Sequence, residues 1–156
     1  MSRAFTKELD DAPAELVERP VSPHRNLVTT NGLRRIEGEL TGLQQALGQA
    51  TAAGDKQAIA QLSRDLRYWT ARRENAELSI ADKHSDVVRF GMTVILENED
   101  GRKQQWMIVG EDEADPAKGS ISHVSPLAVA LFGKGKGDLV MVNGHEYEII
   151  SFSPVI

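Results

Sequence analysis

The hydrophobic positions of this chain follow one period in its first half and another in its second. Leu33, Ile36, Leu40, Leu43, Leu47 and Ala50 recur at spacings of 3, 4, 3, 4 and 3. That is the narrow seam of a helix packed on one partner. The pattern predicts a helix that Thr30 or Asn31 can cap and that Gly54 stops. A second seam runs through Ile59, Leu62, Leu66 and Trp69; Arg73 interrupts it, and Ala76 and Ile80 continue its phase. Two such helices joined by a few residues around Gly54 predict an antiparallel coiled-coil hairpin. The alternative, a helical pair inside a globular bundle, favours a wider apolar stripe.

From Val87 onward the period is that of strands. Residues 93–98 and 104–110 flank Asp100-Gly101, a hairpin signal, and 119–124 read as a third short strand. Ser125 suits the cap of a short helix, Pro126 its first position, and Gly133 closes it. Residues 139–142 and 146–152 flank Asn143-Gly144, the strongest two-residue hairpin turn of the chain. The predicted class is therefore α+β, a helical hairpin followed by a bent antiparallel sheet covered by one short helix. Residues 1–26, with Pro13, Pro20 and Pro23, read as an extended or disordered lead-in. A short helix around 14–18 would be marginal alone. The hairpin is expected over 27–83 and the second domain over 84–156.

Composition narrows the function classes. Of 156 residues, 40% are hydrophobic and 26% charged, which suits a folded chain. There is no apolar run of membrane-spanning length, and the first residues, MSRAFTKELDD, lack the apolar stretch of a signal peptide. A cytoplasmic protein with no membrane partner is expected. The absence of cysteine excludes disulfides, thiol catalysis and thiolate zinc sites. The net charge of −5 is opposite to that of most free-standing duplex binders and points to protein partners. Residues 84–156 hold eleven acids and six Lys or Arg, whereas 31–83 hold seven and eight, so two functional pieces are indicated.

Several groupings bear on chemistry. Glu111, Asp112, Glu113 and Asp115 form an acidic loop between strands, without the alternating ligands and central glycine of a helix–loop–helix calcium site. A solvated loop is the plain reading. Arg64, Arg67, Arg72 and Arg73 put positive charge on the second helix, partly offset by Asp65, Glu74 and Glu77. This is a solvated face or a contact with nucleic acid or acidic protein. His24, His84, His123 and His145 are dispersed, with no ligand spacing. Gly133, Gly135 and Gly137 alternate with lysine without the spacing of a phosphate loop, and no nucleophile–base set stands out.

The runs FGMTVILENEDG, MIVGEDEAD and GSISHVSPLAVALFGKGKGDLVMVNG, in this order between Val87 and Phe152, resemble the C-terminal domain of the Gre transcript-cleavage and elongation factors. VTTNGLRRIEGELTGL resembles the start of that family's coiled coil, and Gly54-Asp55 the pair at its tip. The resemblance implies an FKBP-like C-terminal domain that docks at the rim of the RNA polymerase secondary channel, with the coiled coil entering the channel. It makes Asp112, Glu113, Asp115, Ser125, Pro126 and Leu127 candidates for polymerase contact. It also implies that acidic tip residues help to hold the polymerase's magnesium near nascent RNA. Carboxylates suit that ion because it prefers hard oxygen ligands.

The chain departs from the family at the tip. Asp55 matches the aspartate, but the glutamate expected three residues later is Ala58. An aspartate at this turn is also an ordinary cap for the second helix. Each arm is about ten residues short, roughly 15 Å of reach at ~1.5 Å per residue. The expectation is a monomeric, non-enzymatic regulator of polymerase with no cofactor of its own and weak or absent cleavage stimulation. Asp55 is the sole candidate ligand for a shared magnesium. Two other readings stay open: a regulator of nucleoside diphosphate kinase, which shares this C-terminal domain, and a prolyl isomerase, which would need an aromatic-lined pocket.

Overall fold

The chain divides by its contacts into two units that do not follow sequence order. A computed structural model describes residues 16–155, so the expectation for 1–15 lies outside the described residues. Of these, 16–21 group with Ile36–Glu74, and Ser22–Arg35 group with 75–155. The expected borders at 27 and 84 fall elsewhere because both flanks of the hairpin, 22–35 and 75–83, pack with the C-terminal residues.

The first unit is a helical hairpin. Helix α1 (Thr30–Ala53) and helix α2 (Lys56–Glu74) are joined by Gly54 and Asp55. The amide of Gly54 donates to the Thr51 carbonyl at 3.2 Å, and that of Asp55 to Ala50 at 3.0 Å. With Gly54 at φ +67°, these bonds satisfy the last carbonyls of α1, a role that suits glycine because it lacks a Cβ. Glu37 near the start of α1 pairs with Arg73 near the end of α2 at 3.3 Å, so the helices run antiparallel. Ile36 and Ala50 are buried, while Leu40, Leu43 and Leu47 are half-buried, as befits a seam covered by one partner.

The second unit holds two sheets. Strand β1 (Asn26–Val28) pairs in parallel with β2 (Ala76–Leu78). The seam through Ala76 and Ile80 predicted a longer helix, but α2 ends at Glu74. The Asn26 side chain donates to Asn75 at 2.9 Å, and the Ser79 amide to the Val28 carbonyl at 3.0 Å. These ladder contacts override helical phase, leaving Ile80 73% exposed.

The larger sheet comprises β3 (Met92–Asn98), β4 (Lys103–Val109), β5 (Ser120–Ser122), β6 (Leu139–Val142) and β7 (His145–Pro154), in the order β5-β4-β3-β7-β6. It is mixed, not antiparallel as expected, because β5 runs parallel to β4. Residues 110–119 between them, with a 3₁₀ turn at Pro116–Lys118, return the chain to the level of Met107, so that β5 pairs with the last three residues of β4 instead of reversing in a tight turn. Between Ile95 and Leu96 of β3 the register shifts by one, leaving Ile150 as a bulge that bends β7. Helix α3 (Pro126–Leu131) packs Ala128 and Leu131 into a core with Val88, Phe90, Met92, Val94, Leu96, Ile108, Ile121, Val140 and Ile149. No helix among the described residues is long and apolar enough to cross a membrane.

Candidate functional site

At the hairpin tip, Asp55 is exposed, and its Oδ1 accepts the Ala58 amide at 3.1 Å. Its own carbonyl accepts the Ile59 amide at 2.9 Å, so Asp55 is the N-cap of α2. The tip residues on either side, from Thr51 to Leu62, carry no other carboxylate. One capped aspartate offers too few hard oxygen ligands to make a metal site of its own. Among the described residues no group of three or more His, Asp or Glu is arranged to hold a metal.

The four arginines of the second arm do not form one face. Arg72 is fully buried, which removes it from the proposed channel contacts. Positions i+3 and i+4 from Trp69 both lie on its side of the helix, and it is Arg72, not Arg73, that is turned inward. Arg73 is exposed and paired with Glu37. Arg67 forms a two-pronged pair with Glu18, its Nε lying 3.0 and 3.1 Å from the two carboxylate oxygens. The pair holds the Glu18 carboxyl below, and the Arg67 guanidinium above, their ordinary pKa values. Arg64 reaches Asp65 at 3.3 Å, and Asp65 also receives Arg19 at 3.3 Å. Three of the four expected contact residues are thus surface groups engaged within the chain.

The acidic loop is not simply a solvated run. Glu113 is 9% exposed, and one carboxylate oxygen accepts the Thr29 hydroxyl at 2.5 Å. The other accepts the Asn31 amide group at 3.0 Å, and the Glu113 carbonyl accepts Arg35 at 3.4 Å. Thr29 Oγ1 in turn accepts the Gly32 amide at 3.0 Å, so Thr29 is the cap of α1, one residue before the expected Thr30. Glu113 is therefore withdrawn from the docking residues: it fastens the loop to the start of α1. A Cβ on Gly32 would come within 2.7 Å of the same carboxylate. Glu111 accepts the Ser22 hydroxyl at 3.0 Å, while Asp112 and Asp115 are half-buried.

Ser125, Pro126 and Leu127 open α3 as expected. Ser125 Oγ accepts the Ala128 amide at 3.3 Å, Pro126 is exposed, and Leu127 is half-buried against the core. The sequence reading missed three exposed apolar side chains in the same unit: Val129 on α3, 60% exposed, and Leu139 and Met141 on β6, 58% and 62%. Leu139 and Met141 lie on the opposite face of β6 from buried Val140, beside Glu148 and Glu146 of β7. The signal was present in LVMV, a run without polar alternation on a strand at the sheet edge. Phe90, Trp106, Phe132, Tyr147 and Phe152 all feed the core, which gives the isomerase reading no support.

Residues 83–154 match the family model described as transcription elongation factor, GreA/GreB, C-terminal. The chain is 35% identical over 135 residues to transcription elongation factor GreA of Nitratidesulfovibrio vulgaris, covering 76% of this chain and 83% of that one. It is 37% identical over 138 residues to GreB of Pasteurella multocida, covering 75% and 86%. A solved GreA/GreB factor from Nitrosomonas europaea aligns over 82% of this chain and 98% of its own, with 20% identity and a TM-score of 0.41. Relatives above 30% identity, covered over most of their length, carry the assignment: this chain belongs to the GreA/GreB family of transcription elongation factors.

Proposed function

We propose that the chain binds RNA polymerase and regulates elongation by occupying its secondary channel, with weak or absent stimulation of transcript cleavage. The observation that carries this reading is the tip. Asp55 is its single carboxylate and caps α2, and Ala58 stands where a second acid would complete the pair. Arm length supports it. At ~1.5 Å per residue, the 19 residues of α2 span about 28 Å, and a ligand must come within about 2–2.5 Å of a metal to bind it. The exposed parts of the C-terminal unit, Pro126, Val129, Leu139 and Met141 with half-buried Asp112 and Asp115, are the surfaces available for docking.

The test is RNA cleavage in a stalled, backtracked polymerase complex, with this protein and with its Asp55→Ala variant. Binding to polymerase without faster cleavage is the expected result. Cleavage stimulated by the native chain and lost in Asp55→Ala would show that Asp55 reaches the metal and would overturn the reading.

A further inference from the structure

We propose that α2 carries a docking surface for an extended peptide bearing a carboxylate followed directly by an arginine, and that the chain's own Glu18-Arg19 occupies it in cis. The surface is built from Asp65, Arg67 and Tyr68. Arg67 grips the Glu18 carboxylate through Nε and Nη2. Arg19 sets its guanidinium 4.0 Å from the Tyr68 ring centroid and 5.8 Å from that of Trp69, the two rings meeting edge to face. Its Nη1 lies 3.3 Å from Asp65 Oδ1, which also accepts Arg64 Nε and Nη2. An anion, a ring face and a fork of donors within one helical turn thus read an acid and a guanidinium in order.

The covering segment is suited to displacement. Residues 16–21 form no helix or strand, and Val17 is 86% and Val21 41% exposed, so neither anchors the segment in an apolar pocket. Besides half-buried Leu16 and the Arg19 stack on Tyr68, what holds it is charge at the surface, with the Glu18 and Arg67 side chains 60% and 58% exposed. Such pairs are weak and salt-screened. An open groove lined by Ser63, Leu66, Thr70, Ala71 and Glu74 continues from Arg67 along the same helix. A longer incoming segment that takes Glu18's place would have further surface to follow.

A peptide is favoured over nucleic acid by Asp65. A phosphate could replace the Glu18 carboxylate on Arg67, but the next phosphate along a strand would face the Asp65 carboxylate that Arg19 now neutralises. Within the reading of the chain as a polymerase-binding factor, the partner segment belongs to the transcription complex, and residues 16–21 compete with it.

The experiment uses the full chain and a Glu18→Ala/Arg19→Ala variant whose far-UV circular dichroism matches it. A fluorescein-labelled peptide of residues 16–22, LVERPVS, is the probe. The variant should bind it at least about tenfold more tightly than the native chain, where the tethered copy competes at high effective concentration. Adding Arg67→Glu should abolish binding. Equal binding to native chain and variant, no binding to either, or a preference of the variant for a single-stranded oligoribonucleotide would each overturn the proposal. Binding to core polymerase supplies the second arm: the variant should bind more tightly than the native chain, and unlabelled peptide should reverse the gain. Polymerase binding that is the same for both chains sinks the competition. Failure of both to bind polymerase sinks the functional reading, while the peptide titration still decides the docking surface.

Discussion

Replacing Thr29 by valine tests the account of Glu113 most directly. Valine keeps the shape but removes the hydroxyl, which donates to a buried carboxylate and accepts the Gly32 amide. Loss of a helix cap costs about 1 kcal/mol. Loss of a hydrogen bond to a charged, buried acceptor costs roughly 1.5–3 kcal/mol. Because one hydroxyl serves both, the expected sum is about 3 kcal/mol. For a chain of this size that lowers the melting temperature by roughly 6–12 °C, at ~2–4 °C per kcal/mol. Urea unfolding followed by circular dichroism gives the number. Glu113→Gln removes the charge but keeps an acceptor, so the pair of variants should couple by more than about 1 kcal/mol in a double-mutant cycle. A cost below about 0.5 kcal/mol for Thr29→Val, or strict additivity with Glu113→Gln, would refute the view that this network fastens the loop to α1.

The same geometry makes Gly32→Ala conditional. Its Cβ would meet the Glu113 carboxylate at 2.7 Å, so it should destabilise the native chain. In a Glu113→Ala background it should be neutral or stabilising by up to ~1 kcal/mol, the helix preference of alanine over glycine. Gly110→Ala puts a Cβ 2.4 Å from the Leu27 carbonyl oxygen, a backbone atom that cannot swing away. A loss of roughly 1–3 kcal/mol in thermal unfolding is expected. Asp55→Ala should cost ~1 kcal/mol of hairpin stability through the lost cap, read as a lower urea midpoint with an unchanged slope. The Glu18 carboxyl titrates lower when paired with Arg67. Its contribution is therefore complete above the ordinary glutamate value of ~4.3 and is lost as pH falls through the lower paired value. In a Trp106→Phe background, which leaves Trp69 as the one tryptophan, fluorescence followed from pH 6 to 2 should report the release with Glu18 present and not with a Glu18→Gln control.

How far the sequence could be read depends on whether local or distant contacts decide each element. The Leu33–Ala50 seam, Gly54 and the Asn143-Gly144 turn are settled by residues within a turn or two, and each lies in the structure as read. The parallel pairing of β1 with β2 joins residues 26–28 to 76–78, and no local pattern announces it. Helical phase therefore carried the expected second helix past its true end at Glu74. Likewise, Glu113 looks like any member of an acidic run. Its burial depends on Thr29 and Asn31, more than eighty positions away. Arg72 and Arg73 differ by one step of helical rotation, too fine a distinction for an interrupted seam. The acidic and basic residues of the candidate site were visible by type, but their commitments inside the chain were not.

The placement of the hairpin between two neighbouring strands shapes how the chain must fold. Val28 and Leu78 are ladder partners, separated by a 24-residue helix, a two-residue turn and a 19-residue helix. As loose chain, that intervening stretch would have to be gathered at an entropic cost before β1 could meet β2. Once α1 and α2 zip up from the Gly54 turn, their far ends arrive together and the closure is largely complete. Hairpin contacts close outward from the Gly54 turn, so hairpin formation is expected before the strand pairing at its root. A substitution that weakens the turn at Gly54 and Asp55 should therefore slow the pairing of β1 with β2. Whole heptads can be removed from or added to both helices in matched pairs while the strands at the root still meet in register. The length of the arm is therefore a quantity that evolution, or a protein engineer, can change without redesigning the domain that carries it.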